Sequence, residues 1–129
     1  MIALVLTGSS LDANLQLIAD YRPYIDICEL RADYLNSIDA AEVREFPRRA
    51  GVPLILTLRR VSDGGHCTLD EEARQELLAS LICADYAYVD LESDLPAGAA
   101  EQRAREEGVQ INRSSHDFSG VPETVSRVI

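Results

Sequence analysis

Ile25-Asp-Ile-Cys-Glu-Leu-Arg-Ala-Asp33 decides how this chain folds. The apolar run Ile25–Leu30 reads as a β-strand. Side chains alternate between the two faces of a strand, so Glu29, Arg31 and Asp33 share one face. Three later runs repeat the pattern. Val52-Pro-Leu-Ile-Leu-Thr-Leu58 is the strongest strand, with its proline at the start where a missing donor is tolerated, and it sets Thr57 and Arg59 on one face. Tyr86–Leu91 does the same for Tyr88, Asp90 and Glu92, and Val109–Ser114 for Asn112, Ser114 and His116.

Helical segments separate these strands. Ile2–Leu6 is a first strand, after which Ser10 caps a helix with Leu11, Leu15 and Ile18 at i, i+4 and i+7. Arg22-Pro23 stops that helix. Asp39–Phe46 is a second helix, ended by Pro47. Thr68-x-x-Glu71 reads as a capping box that opens a third helix, running to about Ala84 with Leu77, Leu81 and Ala84 on one face. The Ala-rich segment Ala97–Glu107 is a fourth, stopped by Gly108, and Pro122–Ile129 begins a fifth.

Strand and helix therefore alternate in units of about 25 residues, which implies parallel strands with helices packed outside. In a doubly wound open sheet both faces are covered by helices, and the charged face would be buried among them at great cost. In a (β/α)8 barrel the same face turns inward, and its charges gather at the carboxyl mouth where active sites sit. The α/β fold expected is the TIM barrel, here only its first five βα units. A whole barrel takes eight strands and roughly 250 residues. The chain, residues 1–129, is thus expected to be the N-terminal part of a single barrel domain.

Composition narrows the function. A net charge of −10 and an absence of any basic stripe argue against nucleic acid as a partner. All 12 basic residues are arginines, and their confinement to a few places suggests local recognition of a small anion. No apolar run approaches the ~18 residues of a membrane span, and the start lacks the basic region of a signal peptide. Cys28, Cys67 and Cys83 are an odd number without CxxC spacing, which suits buried thiols in a reducing cytoplasm. His66 and Cys67 have no ligand partners at standard spacing, so no metal and no cofactor are expected. His66 is expected to be exposed in a loop. Gly64-Gly65 lacks any phosphate-loop pattern and is expected to give its loop a turn and freedom to move.

Collected at one mouth, the candidates are Glu29, Arg31, Arg59, Asp63, Asp90 and His116. Imidazole is the side chain suited to moving protons near neutral pH, and small hydroxyl residues leave room around His116. Asp63, on the loop after the third strand, could reach that ring and fix its tautomer. Arginine donates to carboxylates and hydroxyls alike. Spacing alone points to a barrel enzyme that moves a proton on a small anionic, hydroxylated substrate. The alternative is an ion-pair layer that only plugs the barrel.

The segments Ile27-Cys-Glu-Leu-Arg-Ala-Asp33, Pro53-Leu-Ile-Leu-Thr-Leu-Arg59 with Asp63-Gly-Gly65, Tyr88-Val-Asp-Leu-Glu92 and Ser114-Ser-His-Asp-Phe118 resemble type I 3-dehydroquinate dehydratase. The resemblance implies a hydro-lyase of the shikimate pathway that turns 3-dehydroquinate into 3-dehydroshikimate and water. It implies a lysine that forms a Schiff base with the ketone, and His116 as general acid/base. Glu29, Arg31 and Arg59 match positions that bind the substrate's hydroxyls and nearby polar groups. Asp63 falls where the family more often has a glutamate that orients the histidine, and it is one methylene shorter. Val5 stands where many members have a serine.

This sequence contains no lysine. The resemblance puts the Schiff-base lysine on a sixth strand, roughly 25–30 residues after His116, with the groups that grip the substrate carboxylate later still. The chain alone is therefore expected to be inactive, with the edges of its first and fifth strands exposed. Expected partners are 3-dehydroquinate and, for a full-length product, a second copy in a homodimer. A fused shikimate dehydrogenase domain is left open. The rival classes are another Schiff-base barrel enzyme of the class I aldolase type and a non-catalytic half-barrel that binds a small anion.

Overall fold

The computed structural model describes residues 2–115; His116 and the fifth helix expected at 122–129 lie outside the described residues. Five strands, β1 (Ala3–Leu6), β2 (Ile27–Arg31), β3 (Leu54–Thr57), β4 (Tyr88–Glu92) and β5 (Gln110–Ser114), alternate with four helices, α1 (Leu11–Tyr21), α2 (Ala40–Ala50), α3 (Glu71–Leu81) and α4 (Ala99–Glu107). All neighbouring strands are parallel and lie in chain order, β1-β2-β3-β4-β5. A doubly wound sheet reverses its strand order part-way. This one never does, which is the winding of a barrel.

The two faces of the sheet differ as the alternation requires. Outward residues Cys28, Leu30, Leu54, Leu56, Leu58, Val89 and Leu91 pack with Ile18, Val43, Phe46, Leu78, Leu81, Ala100 and Ala104 of the helices in one core. Each Leu, Ile, Val or Phe side chain among them, taken fully out of water, contributes about 1.5–3 kcal/mol. On the other face Ile27 and Ile55 are buried but stand apart from that core. β1 and β5 form the two edges, and on β1 Val5 is 45% exposed.

Three of the four described helices start after side-chain caps, and α4 starts after Gly98 without one. Ser10 accepts from the N–H of Ala13, Asp39 from that of Glu42 and Asp70 from that of Ala73. The last corrects the expected capping box. Asp70 satisfies the free N–H of Ala73, so Thr68 lies outside the helix and Glu71 becomes its first residue. The buried stripe of α3 is Arg74, Leu78 and Leu81, not Leu77, Leu81 and Ala84.

A second correction concerns Pro47, which sits inside α2 instead of ending it; the helix runs on to Ala50 and closes on Gly51 in the left-handed region. Proline has no N–H for the carbonyl four residues back, here that of Val43. The phenol of Tyr86, two residues before β4, donates to that same carbonyl at 2.7 Å. A tertiary hydrogen bond thus replaces the helical one, and α2 continues.

Candidate active site

The inward face changes chemistry along each strand. Apolar Ile27 and Ile55 give way, two residues on, to Glu29 and Thr57, and then to Arg31 and Arg59. The Thr57 hydroxyl donates to the Glu29 carboxylate at 2.6 Å. Arg59, 3% exposed, donates from Nη2 to Asp90 at 2.7 Å and lies 4.0 Å from Glu29. Asp90 also accepts from Asn112 at 2.9 Å and from the Ser114 hydroxyl at 2.7 Å. The register that pairs Asp90 with Asn112 and Glu92 with Ser114 sets these groups side by side. Four strands therefore meet in one buried hydrogen-bonded layer.

Arg31 is fixed by a residue beyond the end of its strand. Asp33, in the 3-10 turn Ala32–Tyr34, accepts from Nε and Nη2 of Arg31 at 3.0 and 2.7 Å. The same carboxylate takes the backbone N–H groups of Arg59 at 3.2 Å and His66 at 3.0 Å. Burial alone would push Asp33 up, but hydrogen bonds and charge from Arg31, joined by those two N–H groups, hold it below the usual carboxylate range. The Arg31 guanidinium also lies 5.0 Å over the Tyr34 ring, and Tyr34 packs on His66 with ring centroids 4.2 Å apart. His66 is exposed in its loop as expected, with the Tyr34 contact in addition.

Asp63 follows in a 3-10 turn, Val61–Asp63, with its carboxylate engaged by Nε of Arg60. Arg60 reaches on to Asp94 at 3.2 Å and to Glu71 at 4.0 Å. Asp63, Glu92, Ser93, Asp94, Ser114 and Ser115 line a cavity of about 90 Å³. Position 116 follows directly from that lining, while His116 itself is outside the described residues. Gly65 shows why glycine is needed here: a Cβ would stand 2.3 Å from the carbonyl oxygen of Arg59. The loop closes on itself through Gly65 N–H to Arg60 O at 2.9 Å and Cys67 N–H to Arg59 O at 3.0 Å. A close backbone contact thus requires glycine at position 65.

Glu29, Arg31, Arg59 and Asp63 thus all stand at the carboxyl ends of the strands. Arg74, which sequence reasoning passed over, and Asp33, read only from parity, complete the layer. Arg74 of α3, 1% exposed, donates to the carbonyl of Leu58 at 2.7 Å, to Glu71 at 2.6 Å and to Glu92 at 2.7 Å. Burial would raise Glu71, yet hydrogen bonds from Arg74 and Gln75 and the charges of Arg74 and Arg60 hold it down. An arginine in the buried register of Leu78 and Leu81 was the signal available. Asp33 was visible only as a charge of the right parity. Burial pushes the Cys28 thiol up to about 11, against the pull of Arg22, so it is no nucleophile near neutral pH. Among the described residues no group of three or more side chains could hold a metal ion, and no helix is long and apolar enough to cross a membrane.

A singly wound run of βα units with a buried polar layer at the carboxyl ends of its strands defines a TIM-barrel fold with an enzyme-type mouth. The chain belongs to the type I 3-dehydroquinase family, whose profile it matches over residues 2–128. It is 35% identical over 107 residues to the 3-dehydroquinate dehydratase of Thermococcus gammatolerans, covering 81% of this chain and 48% of that one. To the Lactococcus lactis 3-dehydroquinate dehydratase it is 33% identical over 117 residues, covering 87% and 49%. The type I 3-dehydroquinate dehydratase structure from Clostridium difficile shares the fold, with a TM-score of 0.78 at 20% identity over 93% of this chain and 52% of that one. The chain spans about half the length of these relatives.

Proposed function

We propose that this chain supplies the first five βα units of an eight-unit barrel that dehydrates 3-dehydroquinate to 3-dehydroshikimate in the shikimate pathway. The observation that carries the reading is the buried layer in which Arg59 binds Asp90 while Glu29 binds Thr57, at the strand ends of a chain from this family. Glu29, Arg31 and Arg59 hold the hydroxyls and nearby polar groups of the substrate. A lysine forms an iminium with the ketone, and the iminium draws electron density from the adjacent C–H bond. His116 takes that proton and delivers one to the departing hydroxyl, which leaves as water, and hydrolysis of the iminium then frees the product ketone and the lysine.

Asp63 orients His116 in the same proposal. It lines the cavity that Ser114 and Ser115 share, and so lies beside the chain that leads to position 116. Three free cysteines suit a reducing cytoplasm, and a homodimer of the full-length protein belongs to the same expectation. The sequence here has no lysine, so these residues alone cannot form the iminium.

The test is borohydride reduction of the full-length protein mixed with 3-dehydroquinate. Substrate mass should appear on one lysine, and His116→Ala should keep that adduct while losing turnover. The 129-residue chain alone should turn over none. A folded full-length protein that traps no substrate would sink the Schiff-base mechanism.

A further inference from the structure

One buried donor in this layer lacks a partner among the described residues. Nε of Arg59 makes no hydrogen bond among them although the side chain is 4% exposed. Such a group ordinarily finds an acceptor, because a buried donor left unpaired has lost its water without a replacement. A natural acceptor is close. Glu92 Oε2 stands 4.0 Å from that nitrogen, beyond hydrogen-bond reach. Its other oxygen is held at 2.7 Å by Nη2 of Arg74, and Arg74 is itself anchored on the Leu58 carbonyl and Glu71. Side-chain exposures of 1% for Arg74 and 4% for Glu92 make the pair a buried one.

We propose that Arg74 is a positioning residue for ligand binding: by holding Glu92 back from Arg59, it keeps the Arg59 Nε–H open for an oxygen of the substrate. This rests on the function proposed above. The helix outside the sheet thereby sets how many donors the inner layer offers. Without Arg74, Glu92 still has Arg59 at 4.0 Å, and closing on its Nε would satisfy both groups. A carboxylate already bound there competes with a substrate hydroxyl or carbonyl, and a charged hydrogen bond outweighs a neutral one.

The experiment follows the Arg59 Nε–H resonance by nitrogen-15 NMR with 3-dehydroquinate as probe. In Arg74→Met, the ligand-free resonance should move to a hydrogen-bonded position and exchange more slowly with water. Affinity for 3-dehydroquinate should fall about tenfold, as expected for one competing charged hydrogen bond. Adding Glu92→Gln to Arg74→Met should reverse both effects, which damage to packing alone would not do. Arg74→Lys keeps a cation beside Glu92 and should leave the resonance in its parental place, which provides a test should the methionine variant not fold. An unmoved Arg59 resonance in folded Arg74→Met, no reversal in the double variant, or a displaced resonance in Arg74→Lys would each overturn the role of Arg74. If 3-dehydroquinate perturbs no arginine in the unmodified protein, the functional reading fails. The ligand-free spectra of the variants still decide on Arg74.

Discussion

Replacing Tyr86 by phenylalanine removes one oxygen and should cost far more than its size suggests. Tyr86 is 2% exposed and its hydroxyl donates at 2.7 Å to the Val43 carbonyl, the acceptor that Pro47 cannot serve. Burial above all, with Cys83 adding, pushes the phenol well above its ordinary range, so it remains a donor at every pH where the protein is handled. In Tyr86→Phe the carbonyl is left buried and unpaired. That penalty is about 2 kcal/mol, from the ~1–3 kcal/mol of an unsatisfied buried group. For a chain of this length, roughly 4 °C per kcal/mol translates it into a Tm lower by about 8 °C.

Urea unfolding at constant slope measures the loss directly. The decisive comparison places Tyr86→Phe in a Pro47→Ala background, where the backbone N–H of residue 47 returns to serve Val43. There the same change should cost at least about 1 kcal/mol less, a coupling readily resolved in a double-mutant cycle. Equal costs in the two backgrounds would mean that the phenol does not stand in for the missing N–H. A cost below about 0.5 kcal/mol, the range of an ordinary surface change, would refute the reasoning outright.

Asp33→Asn should destabilise by about 3 kcal/mol at neutral pH, as expected when one partner of a buried pair is removed. The folded carboxyl is held below its unfolded value of about 3.9, so its contribution is present above that pH and lost as pH falls through the folded pKa. The variant should accordingly show a flatter acid limb in a plot of unfolding free energy against pH, and an unchanged limb would argue against the cluster on Asp33. Gly65→Ala sets a Cβ 2.3 Å from the Arg59 carbonyl oxygen. It should cost about 1–3 kcal/mol by overpacking and disturb the Arg59 resonance. Gly64→Ala, strained by its φ of +82°, should lose stability without disturbing Arg59. Equal disturbance of Arg59 by both variants would remove the special place of Gly65.

The barrel winding was legible because charge alternates with apolar residues in four strands, and only an inward polar face reconciles that with burial. Glu29, Arg31 and Arg59 could be read from parity for the same reason. Boundaries slipped where a distant residue decided them. Nothing near Pro47 in sequence tells that Tyr86 will supply its missing hydrogen bond, so the helix was expected to stop there. Asp70 outcompeted Thr68 as cap because it stands directly before the first helical residue. Arg74 was hidden by a shift of one residue in the buried stripe of α3, which put Leu77 in place of Leu78. The pairing of Arg60 with Asp63 is a local i,i+3 contact, yet its extension to Asp94 depends on how the turn after β3 approaches the loop after β4.

Why the sheet keeps charges at the strand ends at all is the larger physical question. Buried ion pairs are poor sources of stability, since an apolar layer of the same volume is often equal or better by about 1–4 kcal/mol. Ile27 and Ile55, two residues further down the same face, show the apolar solution in this very sheet. The polar layer therefore has no justification in packing, and it is confined to the end where a ligand would enter. It is also balanced toward acid, with Glu29, Asp33, Asp90 and Glu92 facing Arg31, Arg59 and Arg74. Nε and one Nη of Arg31 are committed to Asp33, and Arg59 gives its shortest bond to Asp90. Arginines held in this way do not offer an open fork to a free carboxylate. They suit hydroxyl and carbonyl oxygens, which take single hydrogen bonds and bring no charge. On the proposed function, these arginines would meet the hydroxyl and carbonyl oxygens of the substrate, and its carboxylate would be met by other groups.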